Sequence, residues 1–473
     1  TRRGEAGKTQ VNFNSFFGIQ NATRTIPMMS GAEWVELVRE ANRATTKSTP
    51  YPFIPSLDWD RKLGYFTADP SVFNKIEQGY DNEGNWHPNR VPYTDWTKET
   101  LQTSPIQNYQ VSVNGGDEKI QILASGSYFN HEGIVKGQDY SRYSVRLNFD
   151  WQPRQHLLIG ARTLYSHSIR NNGDNLYSNI KSVPPLADLY DDDGNYTTSR
   201  PGGDPQLWNE LLNLKETKKT QKRNRFLGSY YFEIKLPYNL SYRSNIGVDI
   251  IDWHTPEFFG QYSTNRAGGQ PRAIDSQSNM QMLLWENLLL FNKRINDHAL
   301  DFTFLQSVQQ ETEKTSAADV HDLPYAGQLW NNIGSANSIS AVSSDYSQWR
   351  LASFMGRLNY NLKDKYLLTL SARYDGSSRL APGHKWVLFP SGAFAWRMDQ
   401  EAFLKSVEEL NELKLRFGYG ITGNTSIDPY KTQGLLDFAR YSYNSEGVLA
   451  FFQYEMPNGE LSWEKTEQWN LGL

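Results

Sequence analysis

The sequence predicts an all-β fold: an antiparallel transmembrane β-barrel wall with long loops at one rim and short turns at the other. Three observations carry that expectation. The first is strict alternation. Within Trp349–Tyr374, residues Ala352, Phe354, Gly356, Leu358 and Tyr360 share one parity, and Ser353, Met355, Arg357, Asn359 and Asn361 the other. After a polar break at Lys363–Asp364 the pattern resumes, with Tyr366, Leu368, Leu370, Ala372 and Tyr374 set against Thr369, Ser371, Arg373 and Asp375. Successive side chains of a strand point to opposite faces, so each segment has one apolar and one polar face. Tyrosines close the apolar face at both ends, as in a barrel whose outside meets lipid and whose inside meets water. The second observation is length. Most alternating segments reach the roughly 9–11 residues that a membrane-crossing strand needs, against about 5–6 for a soluble strand. The third is the sorting of connections by length.

Taken in order, the alternating segments are 9–20, 108–114, 119–130, 141–151, 156–168, 224–236, 239–251, 280–291, 298–310, 349–362, 365–375, 386–398, 412–421, 447–455 and 463 to the end. Val11, Phe13, Ser15, Phe17 and Ile19 form the apolar face of the first. Ile120, Ile122, Ala124, Gly126 and Tyr128 form another, and Tyr143, Val145, Leu147, Phe149 and Trp151 a third. Phe226, Gly228, Tyr230, Phe232, Ile234 and Leu236 follow the same rule, and Leu413, Leu415, Phe417 and Tyr419 alternate with Lys414 and Arg416. Segment 280–291 is apolar on both faces, and its orientation stays open. The connections Gly115–Glu118, Gln152–Gln155, Pro237–Tyr238, Asn292–Asp297 and Lys363–Asp364 are short, with 399–411 and 456–462 somewhat longer. Between them lie 21–107, 131–140, 169–223, 252–279, 311–348, 376–385 and 422–446. Short turns on one rim and long loops on the other are what membrane barrels show, whereas a soluble sandwich mixes lengths at both ends. Connection 21–107 is too long to be structureless. It holds a helix announced by the capping pair Ser30 and Glu33 before Trp34, Val35, Leu37 and Val38, read as a loop-packing element.

Composition bounds the function. The net charge of −4 over 473 residues gives no polyelectrolyte signal, so no nucleic-acid partner is expected. With no cysteine, disulfide scaffolds, thiolate metal sites and cysteine nucleophiles are excluded. Mean hydropathy is −0.66 and no window holds eighteen consecutive apolar residues, which excludes a membrane helix but not a barrel. The chain opens on Thr1-Arg2-Arg3-Gly4, so no signal peptide is visible, and an exported protein would be a mature or shortened chain. Asp191-Asp192-Asp193-Gly194-Asn195 has Tyr196 where a calcium loop needs glycine and Gly202 where it needs glutamate. It reads as a polar turn, as does Asp81-Asn82-Glu83-Gly84-Asn85. The eight histidines lack zinc-site spacing, and no nucleophile elbow or phosphate loop is present. Neither catalysis, nor a metal, nor a cofactor is expected.

The loops carry aromatics: Trp86, Trp96, Trp208, Trp253, Tyr262 and Trp330. Flat apolar rings beside Asp, Asn and Arg suit a sugar ring or a peptide, so these six are the ligand-binding candidates. For each alone, packing of loop against loop is the plainer reading.

Several segments together resemble one family. Arg357-Leu358-Asn359-Tyr360, Asp364-Lys365-Tyr366-Leu367-Leu368 and Arg373-Tyr374-Asp375-Gly376-Ser377-Ser378-Arg379 resemble the SusC/RagA family of TonB-dependent outer-membrane transporters. So do Phe389-Pro390-Ser391, Leu413-Lys414-Leu415-Arg416, Gly418-Tyr419-Gly420, Thr422-Gly423-Asn424 and Trp463-Glu464-Lys465-Thr466 with Trp469-Asn470. Val113-Asn114-Gly115-Gly116 and Gly133-Ile134-Val135-Lys136-Gly137 extend the likeness toward the start of the chain. The resemblance implies a barrel of about 22 strands filled by an N-terminal plug. On that basis 1–8 would be the end of the plug and the approach to the barrel, and 9–473 a partial barrel of about 15 strands. An open sheet in lipid would leave two unpaired edges, so further strands are expected to complete it.

The resemblance also implies partners: a SusD-like surface lipoprotein lid, outer-membrane lipid, and a TonB–ExbB–ExbD complex that brings energy from the proton gradient. A dimer of transporter–lipoprotein pairs is compatible with it. The expected function is import of oligosaccharides or oligopeptides. Ser353, Arg357, Asn359, Arg373, Lys414 and Arg416 would face the interior, holding the plug and interior water. A passive porin or adhesin on the same barrel is the first alternative, and a soluble all-β carbohydrate-binding array the second. An outer-membrane enzyme lacks a nucleophile–base pair.

Overall fold

The computed structural model describes residues 7–186, 188–191, 193–198, 208–404 and 410–473, so what was expected of Thr1–Gly4 lies outside the described residues. The first strands are β1 (Gly7–Gln20), β2 (Ser104–Gly116), β3 (Ile120–Glu132), β4 (Asp139–Arg154), β5 (Leu157–Asn171), β6 (Thr217–Leu236) and β7 (Leu240–His254). There follow β8 (Glu257–Phe259), β9 (Arg272–Ile295), β10 (His298–His321), β11 (Ser338–Leu362), β12 (Tyr366–Ser377), β13 (Trp386–Arg397) and β14 (Lys414–Asn424). The last are β15 (Leu436–Tyr443), β16 (Glu446–Gln453) and β17 (Glu464–Gly472). Fourteen of these form one antiparallel meander, β1 to β7, β9 to β14 and then β17, each bonded to its neighbour. The three-residue strap β8 bridges β6 and β9. Among the described residues β1 and β17 are each paired on one side only. No helix of the described residues is long and apolar enough to cross a membrane.

The tight turns gather at one end of the sheet. Tyr238 and Asn239 have φ of 62° and 64°, and Lys363 and Asp364 58° and 53°. Two consecutive left-handed residues make the mirror-image turn that matches the right-handed twist of the flanking strands. The long connections lie at the opposite end, as the sequence predicts.

Two expectations change. Segments 224–236, 280–291, 298–310 and 349–362 are longer in the structure, as β6, β9, β10 and β11, and connections 169–223, 252–279 and 311–348 shrink accordingly. Above the apolar belt both faces are polar, so alternation fades while the backbone ladder continues. Segment 447–455 is not a crossing strand. It belongs to β16, which pairs only with β15 in a separate hairpin turned at Asn444–Ser445. Connection 456–462 is therefore part of one long loop, 425–463, between β14 and β17. A loop hairpin and a crossing strand share the same two-residue period, so the pattern alone does not separate them.

Register shows how the strands lie. Trp151 pairs with Ile159, Ile159 with Phe232, Phe232 with Ser244 and Ser244 with Asn287. Asn287 pairs with Gln306, Gln306 with Phe354 and Phe354 with Tyr374. Trp151 lies beside a short turn, at one rim of the apolar belt, while Tyr374 lies beside a long loop, at the other. One row of neighbours thus climbs the belt from rim to rim in seven steps from β4 to β12. Seven steps of about 4.8 Å against a belt about 25 Å tall give a strand tilt of roughly 45°, the inclination of a barrel wall.

The same register settles segment 280–291. Leu283, Trp285 and Leu289 share the face of Val248, Ile246 and Tyr242, and they are exposed. The exposed face also carries Val11, Phe13, Val145, Leu147, Leu370 and Phe417.

The described residues bury apolar side chains mainly in the loops. In connection 21–103, α1 (Gly31–Thr45) starts at Ser30, whose hydroxyl accepts from the Glu33 amide while the Glu33 carboxylate accepts from the Ser30 amide. With α2 (Leu57–Asp60), α3 (Gly64–Thr67) and α4 (Pro70–Glu77) it encloses Val35, Phe66, Val72 and Ile76, all fully buried. Each such burial is worth about 1.5–3 kcal/mol. Leu186, from connection 172–216, completes this core. A second cluster joins Trp96 of α5 (Trp96–Thr100) to Leu176, Ile180 and Leu211. The two longest connections at this rim are thus packed into one unit.

Candidate functional site

One residue over from the row that climbs the belt, on the opposite face of the sheet, runs a second one. Asp150 pairs with Gly160, Gly160 with Tyr231, Tyr231 with Asn245 and Asn245 with Glu286. Glu286 pairs with Ser307, Ser307 with Ser353 and Ser353 with Asp375. These side chains bond one another. The Tyr231 hydroxyl donates to Asp150 at 2.6 Å, and an Arg162 guanidinium nitrogen donates to the same carboxylate at 2.5 Å. The Arg243 guanidinium lies 4.1 Å from the Tyr231 ring centroid, a cation–π contact. Gly160 makes room for that ring: a Cβ there would lie 2.3 Å from it. Further along, Arg225 grips Asp249 at 2.9 and 2.7 Å, and Asn245 donates to Glu286 at 3.3 Å. Such cross-strand charge pairs hold a wall of fixed shape that still presents polar groups.

The sequence-derived polar candidates all lie on this face. Arg373 donates to Asp375 at 2.7 Å and to Ser353 at 3.0 Å, and Asn359 accepts from Thr369 at 2.9 Å. Arg357 stands between Thr303 and Ser371, Lys414 opposite Arg397, and Arg416 between Ala395 and Gly472. Arg357, Lys414 and Arg416 have no hydrogen-bond or ion-pair partner among the described residues, so their charge is free for something facing the wall. The pairs Asp150–Arg162 and Arg225–Asp249 escape sequence reasoning because each joins two strands whose register the pattern does not give.

The structure does not bring the six loop aromatics together. Trp86 packs on the loop core, with Tyr80 at 5.0 Å and the Arg39 guanidinium 4.1 Å from its ring. Trp96 is buried and its indole N–H donates to the Pro184 carbonyl at 3.2 Å. Trp330 packs against Phe258, Val320 and Leu323. These three are packing residues. Trp253 stands on the polar face under Arg223, 5.4 Å away. Trp208 and Tyr262 stack at 6.4 Å, and Tyr262 remains 46 % exposed, so this pair keeps an open ring face.

Beneath Trp86 sits a buried charge. Arg39 and Asp60 are fully buried and bond through two contacts at 3.0 and 2.5 Å. The Tyr51 and Tyr80 hydroxyls each donate to the same carboxylate at 2.7 Å. Burial, and after it the Asp60 carboxylate, push the Tyr51 hydroxyl up to about 12, and Tyr80 moves up for the same causes. Every lone pair facing the core is thus answered, as a buried charge requires. The calcium-like turns are the polar turns expected: Asp81 accepts from the Glu83 and Asn85 amides, and Asp191 from those of Asp193 and Asn195. Among the described residues no group of three or more His, Asp or Glu side chains could hold a metal ion.

Comparison with known proteins agrees with this architecture. Residues 185–473 match the family described as TonB dependent receptor-like, beta-barrel. TonB-dependent receptor P26 of Formosa agariphila is 33% identical over 436 residues, covering 89% of this chain and 43% of that protein. TonB-dependent receptor SusC of Bacteroides thetaiotaomicron is 26% identical over 427 residues, covering 80% and 40%. The RagAB peptide transporter structure superposes with a TM-score of 0.81 at 20% identity, over 100% of this chain and 53% of that one. The chain therefore spans about half the length of the proteins it matches. It belongs to the TonB-dependent receptor family of outer-membrane β-barrels.

Proposed function

We propose that the protein imports oligosaccharides or oligopeptides across the outer membrane, driven through TonB–ExbB–ExbD by the proton gradient and without a cofactor. The observation that carries the reading is the two-faced wall. Fourteen neighbouring strands hold an apolar side outward and a hydrogen-bonded polar side inward. On this reading the fixed ion pairs keep the passage open, and the free Arg357, Lys414 and Arg416 meet the plug or the passing ligand. Trp208 and Tyr262 offer a ring face to ligand at the outer rim, where a SusD-like lipoprotein would close the loops. RagAB is described as a peptide transporter, which keeps peptides beside glycans as candidate cargo.

Uptake by cells carrying the complete receptor, with and without functional TonB, tests the mechanism. Loss of uptake without TonB is expected. Persistent uptake would mean a passive pore. Binding of a glycan and peptide panel to the receptor–lipoprotein complex would then separate the two cargo classes, with Trp208→Ala and Tyr262→Ala weakening the winner.

A further inference from the structure

On the outward side, immediately above the apolar belt, the surface turns polar and hollow. A cavity of about 440 Å³ opens there, lined among others by Asn224, Asp252, His254, Gln277, Asn279 and Lys314. Register fixes its face. Tyr143 pairs with His167, His167 with Asn224, Asn224 with Asp252, Asp252 with Asn279 and Asn279 with Lys314. This row keeps the parity of the lipid-facing side chains, so the cavity faces away from the interior and lies off any path through the barrel. One step below it on the same face the row runs Phe226, Ile250, Gln281 and Thr312, and one step further it runs Val248, Leu283 and Gln310, so the slope is apolar on the side of β6 and β7. The site therefore has two storeys, a polar hollow over an apolar slope.

The chemistry of the hollow is that of a sugar site. The carboxylate in its lining is already engaged, Asp252 accepting from the Asn279 amide, and the lining His254 is held from beside the hollow by Asp275 at 2.6 Å. The Asn224 oxygen is taken by His167 at 2.7 Å and Tyr165 at 3.2 Å, which fixes the amide with its NH2 unspent. The Gln277 and Ser316 side chains and the Lys314 ammonium have no side-chain hydrogen-bond partner among the described residues. Amides, a hydroxyl and an ammonium without carboxylate partners suit ring hydroxyls and a phosphate or acid group. A free sugar has no use for Phe226, Ile250 and Leu283, whereas an acyl chain does.

We infer that this hollow binds the saccharide headgroup of an outer-leaflet glycolipid, whose acyl chains lie on the apolar slope beneath. The inference rests on the outer-membrane reading above. It adds a ligand site on the outer wall, separate from the cargo route.

The test uses the complete receptor purified from outer membranes in mild detergent. Native mass spectrometry would count glycolipid retained after a delipidating wash, for the wild type, for Lys314→Arg and for the double variant Asn224→Leu/Lys314→Glu. Retention by the wild type and Lys314→Arg, with about tenfold less in the double variant and unchanged nutrient uptake, is the expected result. Equal retention in all three would overturn it, as would phospholipid held in place of glycolipid. The deacylated saccharide, added to stripped protein, should bind at least about tenfold more weakly than the glycolipid. Equal binding would assign the hollow to a soluble sugar and overturn the proposal. Density-gradient fractionation separates this failure from that of the outer-membrane reading: a wild-type receptor that sediments away from the outer membrane sinks that reading, whereas one that sediments with it and retains no glycolipid sinks this inference alone.

Discussion

The loop unit and the sheet use the same residue types in opposite ways. In the unit built from 21–103 and 172–216, Val35, Phe66 and Ile76 are fully buried. In the sheet, Val11 is 68 % exposed, Val145 61 % and Leu283 52 %. Ion pairs reverse as well. Arg39–Asp60 is sealed inside the loop unit, whereas Asp150–Arg162 lies on the face turned from the apolar belt. Apolar side chains go where water is absent, and for the loops that place is an interior. For the sheet it is the outside. The side on which a region keeps its apolar surface therefore reports its solvent.

The largest effect should come from unpairing the buried charge. Asp60→Ala leaves the buried Arg39 guanidinium with only the half-exposed Glu36, at 3.4 Å, as an acid partner among the described residues, at a cost of about 3–5 kcal/mol. Hydrogen exchange should show α1 and α4 opening while β2 to β5 stay protected. If both regions loosen together, the two are one cooperative unit and the contrast fails. Next is the outward face. Leu147→Arg, at the middle of its strand's belt, should cost about 2–4 kcal/mol in refolding into vesicles under urea. The exposed loop residue Leu37→Arg should change little, within about 0.5 kcal/mol. Gly160→Ala comes third, because its methyl group meets the Tyr231 ring and overpacking costs about 1–3 kcal/mol. Loss of the Asp150–Tyr231 bond would be visible in the Tyr231 resonance, and an unchanged signal would show that the wall yields.

The smallest effects are confined to extremes of pH, and they fall at opposite ends. Tyr51 is held protonated, at about 12 against an ordinary value of 10.0, so its contribution is whole below about pH 10 and disappears as pH rises through about 12. Glu401, in the turn between β13 and β14, accepts from Tyr366, Lys365 and Trp396. These bonds, Tyr366 first, lower it from 4.5 to about 2, so its contribution is whole above about pH 4.5 and is lost as pH falls toward 2. Exchange protection should therefore fall in alkali around α1 and in acid around residues 398–404. Simultaneous loss at either end would contradict the separation.

Much of this was legible in the sequence because a membrane wall writes one bit per residue. Alternation gave the faces of Ala352, Phe354 and Leu358, and placed Arg357, Asn359, Arg373, Lys414 and Arg416 opposite them. Ser30 and Glu33 announced α1 three residues apart. Pattern ran out wherever both sides of a strand are wet, so the upper parts of β9 to β11 read as loop. The hairpin β15–β16 passed for a crossing strand because it has the same period. Partners far apart in the chain, such as Asp150 with Tyr231 or Arg39 with Asp60, depend on register and loop packing that no local window contains. For the same reason the loop aromatics looked like a set, although Trp86, Trp96 and Trp330 are occupied elsewhere.

The slanting row from Trp151 to Tyr374 turns the sheet into a depth gauge. A spin label or fluorophore moved one strand at a time along these neighbours would descend through headgroup, hydrocarbon and headgroup again, although every position is next to the last. Quencher accessibility plotted against strand order should then trace a single trough, and its width would measure how thick a bilayer this wall was shaped to fit.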